Sequence, residues 1–228
     1  MNMRNIVVVT FLLLVAVTAN ASYLTNGDFE MDPGTQGKWK NKTWANLGWS
    51  VWDKLPGWQT LYGPGIEVEK SGVVTNAQSG NHYLELDSHM AQDTNSAMYQ
   101  TVALSEGDYA LSFWYFARTN NGQDDNGIFA GIDFFKDSTI DYFAYTEANS
   151  TKMAMDGKWK EYTLDFSIAA AGDYNVTFGA FGKDNSLGGF IDNVSLVQNP
   201  EPSTMILFGF GLLGLARLTR RSHNRLDS

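Results

Sequence analysis

The chain has 228 residues, no cysteine, 14% aromatic residues, and 25 acidic against 16 basic side chains for a net charge of −9. That apolar and aromatic stock suits one sizeable core and argues against intrinsic disorder. The missing cysteines remove disulfides, thiolate metal sites, iron–sulfur clusters and cysteine nucleophiles, and the acidic balance argues against nucleic acid, whose phosphates are neutralised by Lys and Arg.

The N-terminus reads Met1-Asn2-Met3-Arg4, an apolar run from Ile6 to Val17, then Ala19-Asn20-Ala21. One positive charge, about a dozen apolar residues and an Ala-x-Ala arrangement describe a secretory signal peptide over residues 1–21. The run is short of the roughly 20 residues that a spanning helix needs, which argues against an uncleaved anchor.

From 22 to 198 alternation replaces any 3.6-residue stripe. The stretch from Gly34 to Gly63 reads as loop but holds Trp39, Trp44, Trp49, Trp52 and Trp58. Strands are expected over Ile66–Lys70, His82–Asp87 and Ala97–Ala103. Tyr109 to Arg118 follows, with Tyr109, Leu111, Phe113 and Tyr115 on one face and Trp114, Phe116 and Arg118 on the other. Gly127–Phe135, Thr139–Tyr145, Tyr162–Ile168, Tyr174–Phe178 and Phe190–Val197 complete the set, with Gly-, Asn- and Asp-rich turns between them. About nine short strands with no helix to cross over predict an all-β fold, one antiparallel β-sandwich of the jelly-roll kind over residues 22–198.

Several segments of this body, in order, resemble the galactose-binding-like jelly roll of carbohydrate-binding modules. They are Leu24-Thr-Asn-Gly-Asp-Phe-Glu30, Gly57-Trp58, Gly65-Ile-Glu-Val68, Gln78-Ser-Gly80 with Leu84-Glu-Leu86, Tyr99-Gln-Thr-Val102, Gly107-Asp-Tyr-Ala-Leu-Ser-Phe-Trp114, Trp159 and Phe190-Ile-Asp-Asn-Val-Ser-Leu196. Such a fold hosts many functions, so the resemblance speaks to architecture more than to ligand. It implies a structural calcium where the first and last strands meet, with oxygens from Asn26, Asp28, Glu30 and Asp192. Asp192 shares the parity of Val194 and Leu196, so its carboxylate is expected on the packed side, where it needs a partner. The alternative is that these groups cap turns or bond backbone amides without a metal.

For a ligand, flat aromatic rings on loops suit stacking on sugar rings, which selects Trp58, Trp52 and Tyr62. Arg118, the body's lone arginine, sits beside aromatics and suits either a ligand or an internal partner such as Glu85 or Asp87. Evidence for catalysis is thin. His82, His89 and His223 form no spaced cluster, and acid pairs such as Glu67 with Glu69 or Glu85 with Asp87 are ordinary strand alternation, although two acids could serve a glycosidase.

The end of the chain has a different composition. Asn199-Pro200-Glu201-Pro202-Ser203 leads into an apolar stretch from Met205 to Ala216, then Arg217, Arg220, Arg221 and Arg225. Basic residues after an apolar run hold that end in the cytoplasm, and glycines at 209, 211 and 214 weaken the helix, as suits a transient one. Residues 199–228 thus resemble a PEP-CTERM sorting signal, with Pro200, Glu201 and Pro202 as the motif and Arg217, Arg220 and Arg221 as the basic tail. The resemblance implies a hydrophobic transmembrane helix, processing by an exosortase-type enzyme at the inner membrane, and a Gram-negative envelope or matrix setting that often accompanies exopolysaccharide. An ordinary C-terminal anchor is the other reading. The expected protein is an exported, non-catalytic surface or matrix component that binds carbohydrate. A purely structural matrix protein and, further off, a glycoside hydrolase are the alternatives.

Overall fold

Alternating apolar residues on short, turn-bounded segments leave one solution, two sheets packed face to face. The computed structural model describes residues 21–35, 39–41, 48–89, 94–118, 126–134, 144–149 and 157–199. The strands are β1 (Trp39–Asn41), β2 (Trp49–Trp52), β3 (Lys54–Leu55), β4 (Trp58–Tyr62), β5 (Ile66–Lys70), β6 (His82–Glu85), β7 (Ala97–Leu104) and β8 (Gly107–Phe116), followed by β9 (Asn126–Phe134), β10 (Ala144–Asn149), β11 (Trp159–Ile168), β12 (Gly172–Gly182) and β13 (Phe190–Gln198). They form a seven-stranded sheet, β1-β2-β5-β6-β13-β8-β11, and a six-stranded sheet, β10-β9-β12-β7-β4-β3. Neighbouring strands are antiparallel throughout, as in β8 against β11, β12 against β9 and β13 against β8.

The predicted all-β sandwich is thus the observed one. Its core is built from the faces that alternation assigned: Leu111, Phe113 and Tyr115 of β8, Ile66 and Val68 of β5, and Val176 and Phe178 of β12. The Trp-rich stretch expected as loop instead contributes β1 to β4, and Trp52 and Trp58 enter the core with it. Its strands are too short, two to five residues, for a period-2 pattern to register. The strand expected over Thr139–Tyr145 lies at Ala144–Asn149 among the described residues. The signal peptide, Trp44, the sorting motif and the C-terminal helix lie outside the described residues, and among the described ones no helix is long and apolar enough to cross a membrane.

Two of the register shifts, in β4 and β13, decide what the surface carries. In β4 the pairing with β7 runs Gln59 to Tyr99 and Thr60 to Met98, then skips to Tyr62 opposite Ala97. The extra residue turns Tyr62 onto the outer face that Gln59 and Tyr99 share. In β13 the register against β8 shifts between Asp192 and Ser195, with Asn193 at φ 48°. Ile191 and Val194 therefore both enter the core, and Asp192 faces outward beside Phe190 rather than sharing the side of Val194.

Candidate functional site

The outer face of the six-stranded sheet collects aromatic side chains in registered rows. Tyr145, Gly131, Thr177, Tyr99 and Gln59 stand side by side across β10, β9, β12, β7 and β4, and Lys54 of β3 closes the row. In the next row Glu147, Phe129, Gly179, Ala97 and Tyr62 follow one another. Tyr145 is 46% exposed and Tyr62 45%, while Tyr99 is half-buried. At a strand spacing of about 4.8 Å, Tyr145 and Tyr99 stand roughly 14 Å apart, and Tyr62 is diagonal to Tyr99 at about 7 to 8 Å.

Small residues shape this surface. A Cβ at Gly179 would meet the Phe129 ring at 2.4 Å, so that ring lies over the bare glycine backbone. Tyr145 then stacks on Phe129, centroids 5.8 Å apart at 25°, and its hydroxyl donates to Glu147 Oε1 at 2.7 Å. Thr101 Oγ1 donates to Asn175 Oδ1 at 2.8 Å in a neighbouring row. The result is one ring fixed from beneath, Tyr145 on Phe129, with Tyr99 and Tyr62 in register beside it and hydrogen-bonding groups nearby, a surface that can contact a flat, polyhydroxylated chain.

Of the residues that the sequence selected for a ligand, Tyr62 alone is open on this face. Trp58 is fully buried, with Phe29 and Phe178 against its ring and Nε1 donating to Asn26 O at 3.1 Å. Trp52 is buried too, and its Nε1 donates to Ser50 Oγ at 2.6 Å. Both are core plugs in this fold, since each points inward from its strand, and neither offers a ring to a sugar. Arg118 is committed to Glu85, donating from Nη1 to both carboxylate oxygens at 2.9 and 2.8 Å, with its guanidinium 5.5 Å from the Phe190 ring centre. Tyr99 and Tyr145 escaped the sequence reading because they sit in strands, where the expectation put rings in the core. Their cross-strand register was the missing signal.

The junction expected to hold a metal brings Glu30 and Asp192 to one loop. The first and last segments do meet: Tyr23 N donates to Leu196 O and Val194 N to Gly27 O, both at 2.8 Å. Asp192 is buried and accepts from Gln78 N and Ser79 N on Oδ2 and from Asn193 N on Oδ1, at 2.6 to 2.9 Å. Glu30 Oε1 accepts from Asn81 N and His82 N at 2.7 Å, and Oε2 lies 3.1 Å from His82 Nδ1. Asn26 spends its side chain on Met31 N and Pro56 O, and Asp28 is exposed.

Backbone amides bond these carboxylates, and one buried acceptor at this junction, Gln78 Oε1, has no partner. Among the described residues the three acidic or histidine groups that bring ligand atoms within 4.8 Å of one another are Glu67, Glu85 and His89, on a different part of the sheet. Asn26, Glu30 and Asp192 accept backbone amides as they are placed, and no role here is derived from calcium. Burial pushes Asp192 up to about 7, against the pull of its three amide bonds.

Residues 200–221 match the PEP-CTERM protein-sorting motif, the part of the chain in which Pro200, Glu201, Pro202 and the arginines were read. That motif marks the chain for export to the cell envelope or surface. No curated protein sequence matches the chain. Solved structures with a similar fold include TmCBM61 in complex with β-1,4-galactotriose, 20% identical over 78% of this chain and 99% of that one with a TM-score of 0.47. The CBM22-1 xylan-binding domain from Paenibacillus barcinonensis Xyn10C is 13% identical over 64% and 87%, TM-score 0.40. The K1 cleaved adhesin domain of Lys-gingipain from Porphyromonas gingivalis is 17% identical over 63% and 92%, TM-score 0.44. Carbohydrate-binding modules thus stand among the structural neighbours, and the sandwich itself rests on the strand order above.

Proposed function

We propose that this is an exported, non-catalytic envelope or matrix protein that binds carbohydrate chains on the outer face of its six-stranded sheet. The observation that carries the reading is the placement of Tyr62, Tyr99 and Tyr145 on one face by strand register and by the β4 bulge. Tyrosine gives a large, stiff, amphipathic contact at small entropic cost, which is what a shallow surface needs to hold a flexible chain. Affinity at one copy is expected to be weak and to rise where many copies share a surface.

Glu147 supplies the carboxylate beside the exposed Tyr145 ring, and Lys54 lies at the opposite edge of the sheet. Uncharged exopolysaccharides are therefore favoured over polyuronates at the Tyr145 end. Binding without turnover is supported by the state of the buried acids. Glu67 and Glu85 are fully buried and already bonded to His89 and Arg118, which leaves neither open to a glycosidic oxygen. An exosortase-type enzyme acting at residues 200–221 would deliver the domain, with passage through the inner membrane on the C-terminal helix.

The test is affinity electrophoresis of the purified protein on a panel of neutral and acidic polysaccharides, repeated with Tyr145→Ala, Tyr99→Ala and Tyr62→Ala. Retardation by a neutral glycan, lost in these variants while their circular dichroism is unchanged, is the expected result. Binding that survives all three substitutions moves the site elsewhere. No retardation by any glycan favours a structural matrix protein, and release of reducing sugar would restore the hydrolase.

A further inference from the structure

The outer face of the seven-stranded sheet carries a buried ladder of acids that carbohydrate binding does not use. Ile66 and Val68 of β5 point into the core, so Glu67 and Glu69 point the other way, and on β6 Tyr83 and Glu85 do the same. Register sets Glu67 directly against Glu85 and Glu69 against Tyr83. All three carboxylates are buried. Like charges directly opposed in a sheet repel, and burial removes the water that would screen them.

Each acid has its own donor. Glu85 holds Arg118 and accepts from Gly188 N at 2.5 Å. Glu69 accepts from the Tyr83 hydroxyl at 2.6 Å. Glu67 accepts from His89 N at 2.6 Å and lies 3.0 Å from His89 Nδ1. Glu69 and Glu85 also hydrogen-bond to each other, which takes one shared proton, and among the described residues Arg118 is the permanent cation bonded to this trio. His89 is placed to supply another. Its ring is stacked on Trp49 of β2, centroids 4.6 Å apart at 29°, and it keeps contact with water at 35% side-chain exposure, so a proton can reach it.

We propose that His89 is the second counter-charge of this ladder, and that its imidazolium on Glu67 makes the attachment of the segment after β6 to β5 pH-dependent, firm in acid and slackening as the proton leaves. The groups facing it are Glu67 and Glu69 from β5, Glu85 from β6, and Arg118 after β8. The Glu67 hydrogen bond and charge raise His89 above the ordinary 6.5, while its own desolvation and Arg118 oppose this. Burial raises both Glu69 and Glu85, against the pull of Tyr83 on the one and Arg118 on the other. The signs agree. A histidine raised on folding adds stability that is complete below its unfolded value and lost as pH climbs through the folded one. A carboxyl raised on folding likewise favours the fold at lower pH.

The decisive measurement is the ring titration of His89 by NMR in the full protein, with His89→Gln for assignment. His89 should titrate above the ordinary 6.5 and move down toward or below it in Glu67→Gln. The melting temperature of the native protein should fall from about pH 6 to 9, and His89→Gln should flatten that fall. Both comparisons are made in an Asp192→Asn background, which removes the titration of Asp192 from this range. A His89 ring that titrates at or below the ordinary value in the native protein overturns the proposal. So does an unchanged melting slope in His89→Gln.

Discussion

Glu30 and Asp192, from opposite ends of the domain, grip the same loop: Asp192 takes the amides of Gln78 and Ser79, and Glu30 those of Asn81 and His82. The loop between β5 and β6 is thereby pinned to both the first segment and the last strand. Where these hydrogen bonds alone hold the junction, a chelator leaves the melting temperature unchanged. A fall of several degrees with chelator, reversed by calcium, would return the ion to this junction.

Asp192→Asn puts an amide NH2 where carboxylate oxygens accept three backbone donors. One donor loses its acceptor, at a cost of about 1 to 3 kcal/mol. Burial raises Asp192 to about 7, so its protonation favours the fold most below its unfolded value, and that contribution disappears as pH rises through about 7. The penalty of the substitution should accordingly be larger at pH 5 than at pH 8. Urea unfolding at the two values measures this, and an equal penalty at both would contradict the raised value.

Trp58→Ala should act on the core. Removing a fully buried indole that also holds Asn26 O is expected to cost about 3 to 5 kcal/mol. Trp58→Phe keeps the ring contacts with Phe29 and Phe178 and should recover much of that loss. Denaturant midpoints separate the two, and a normal midpoint in Trp58→Ala with lost glycan binding would put Trp58 back at a ligand.

Gly179→Ala tests the binding face without removing any of its side chains. The new methyl would meet the Phe129 ring at 2.4 Å and Ala97 Cβ at 2.9 Å, so Phe129 must lift and Tyr145 with it. Overpacking of this kind costs about 1 to 3 kcal/mol. Glycan affinity should fall as well, and calorimetry that finds it intact would detach Tyr145 from the site.

Arg118→Met leaves Glu85 buried with Gly188 N but no cation, which is expected to cost about 3 to 5 kcal/mol. Pairing it with Glu85→Met should restore most of the stability, because two apolar side chains of similar volume replace the ion pair. Thermal melts of both variants check this, and a double variant as unstable as the single one would show that Glu85 holds more than Arg118.

Much of the sandwich was legible because buried strands announce their inner faces by alternation. Leu111, Phe113 and Tyr115 needed only counting by twos. Counting fails at a bulge, and the error in placing Asp192 arises there: it changes sides through one unpaired residue, and the local trace is the left-handed Asn193, whose residue type tolerates that conformation. Trp58 and Trp52 misled for another reason: their segment has no period, and large rings in such a segment serve a core as readily as a ligand. The pairing of Arg118 with Glu85 follows from strand parity plus the single arginine. The distant partners Tyr99 and Tyr145 needed the strand order, which local pattern does not contain.

The described chain ends on β13, where Asn199 N is bonded to Asp108 O and Gln198 Nε2 to Glu106 O. This strand lies inside its sheet, between β6 and β8, and not at an edge. If the protein is moored through residues beyond 199 while its other sheet holds a polymer, tension enters along the axis of β13. Its ladder bonds run crosswise to that pull and share the load together, as rungs in shear, where an edge strand peeled from its end would surrender them one at a time. A domain threaded this way is built to hold against drag.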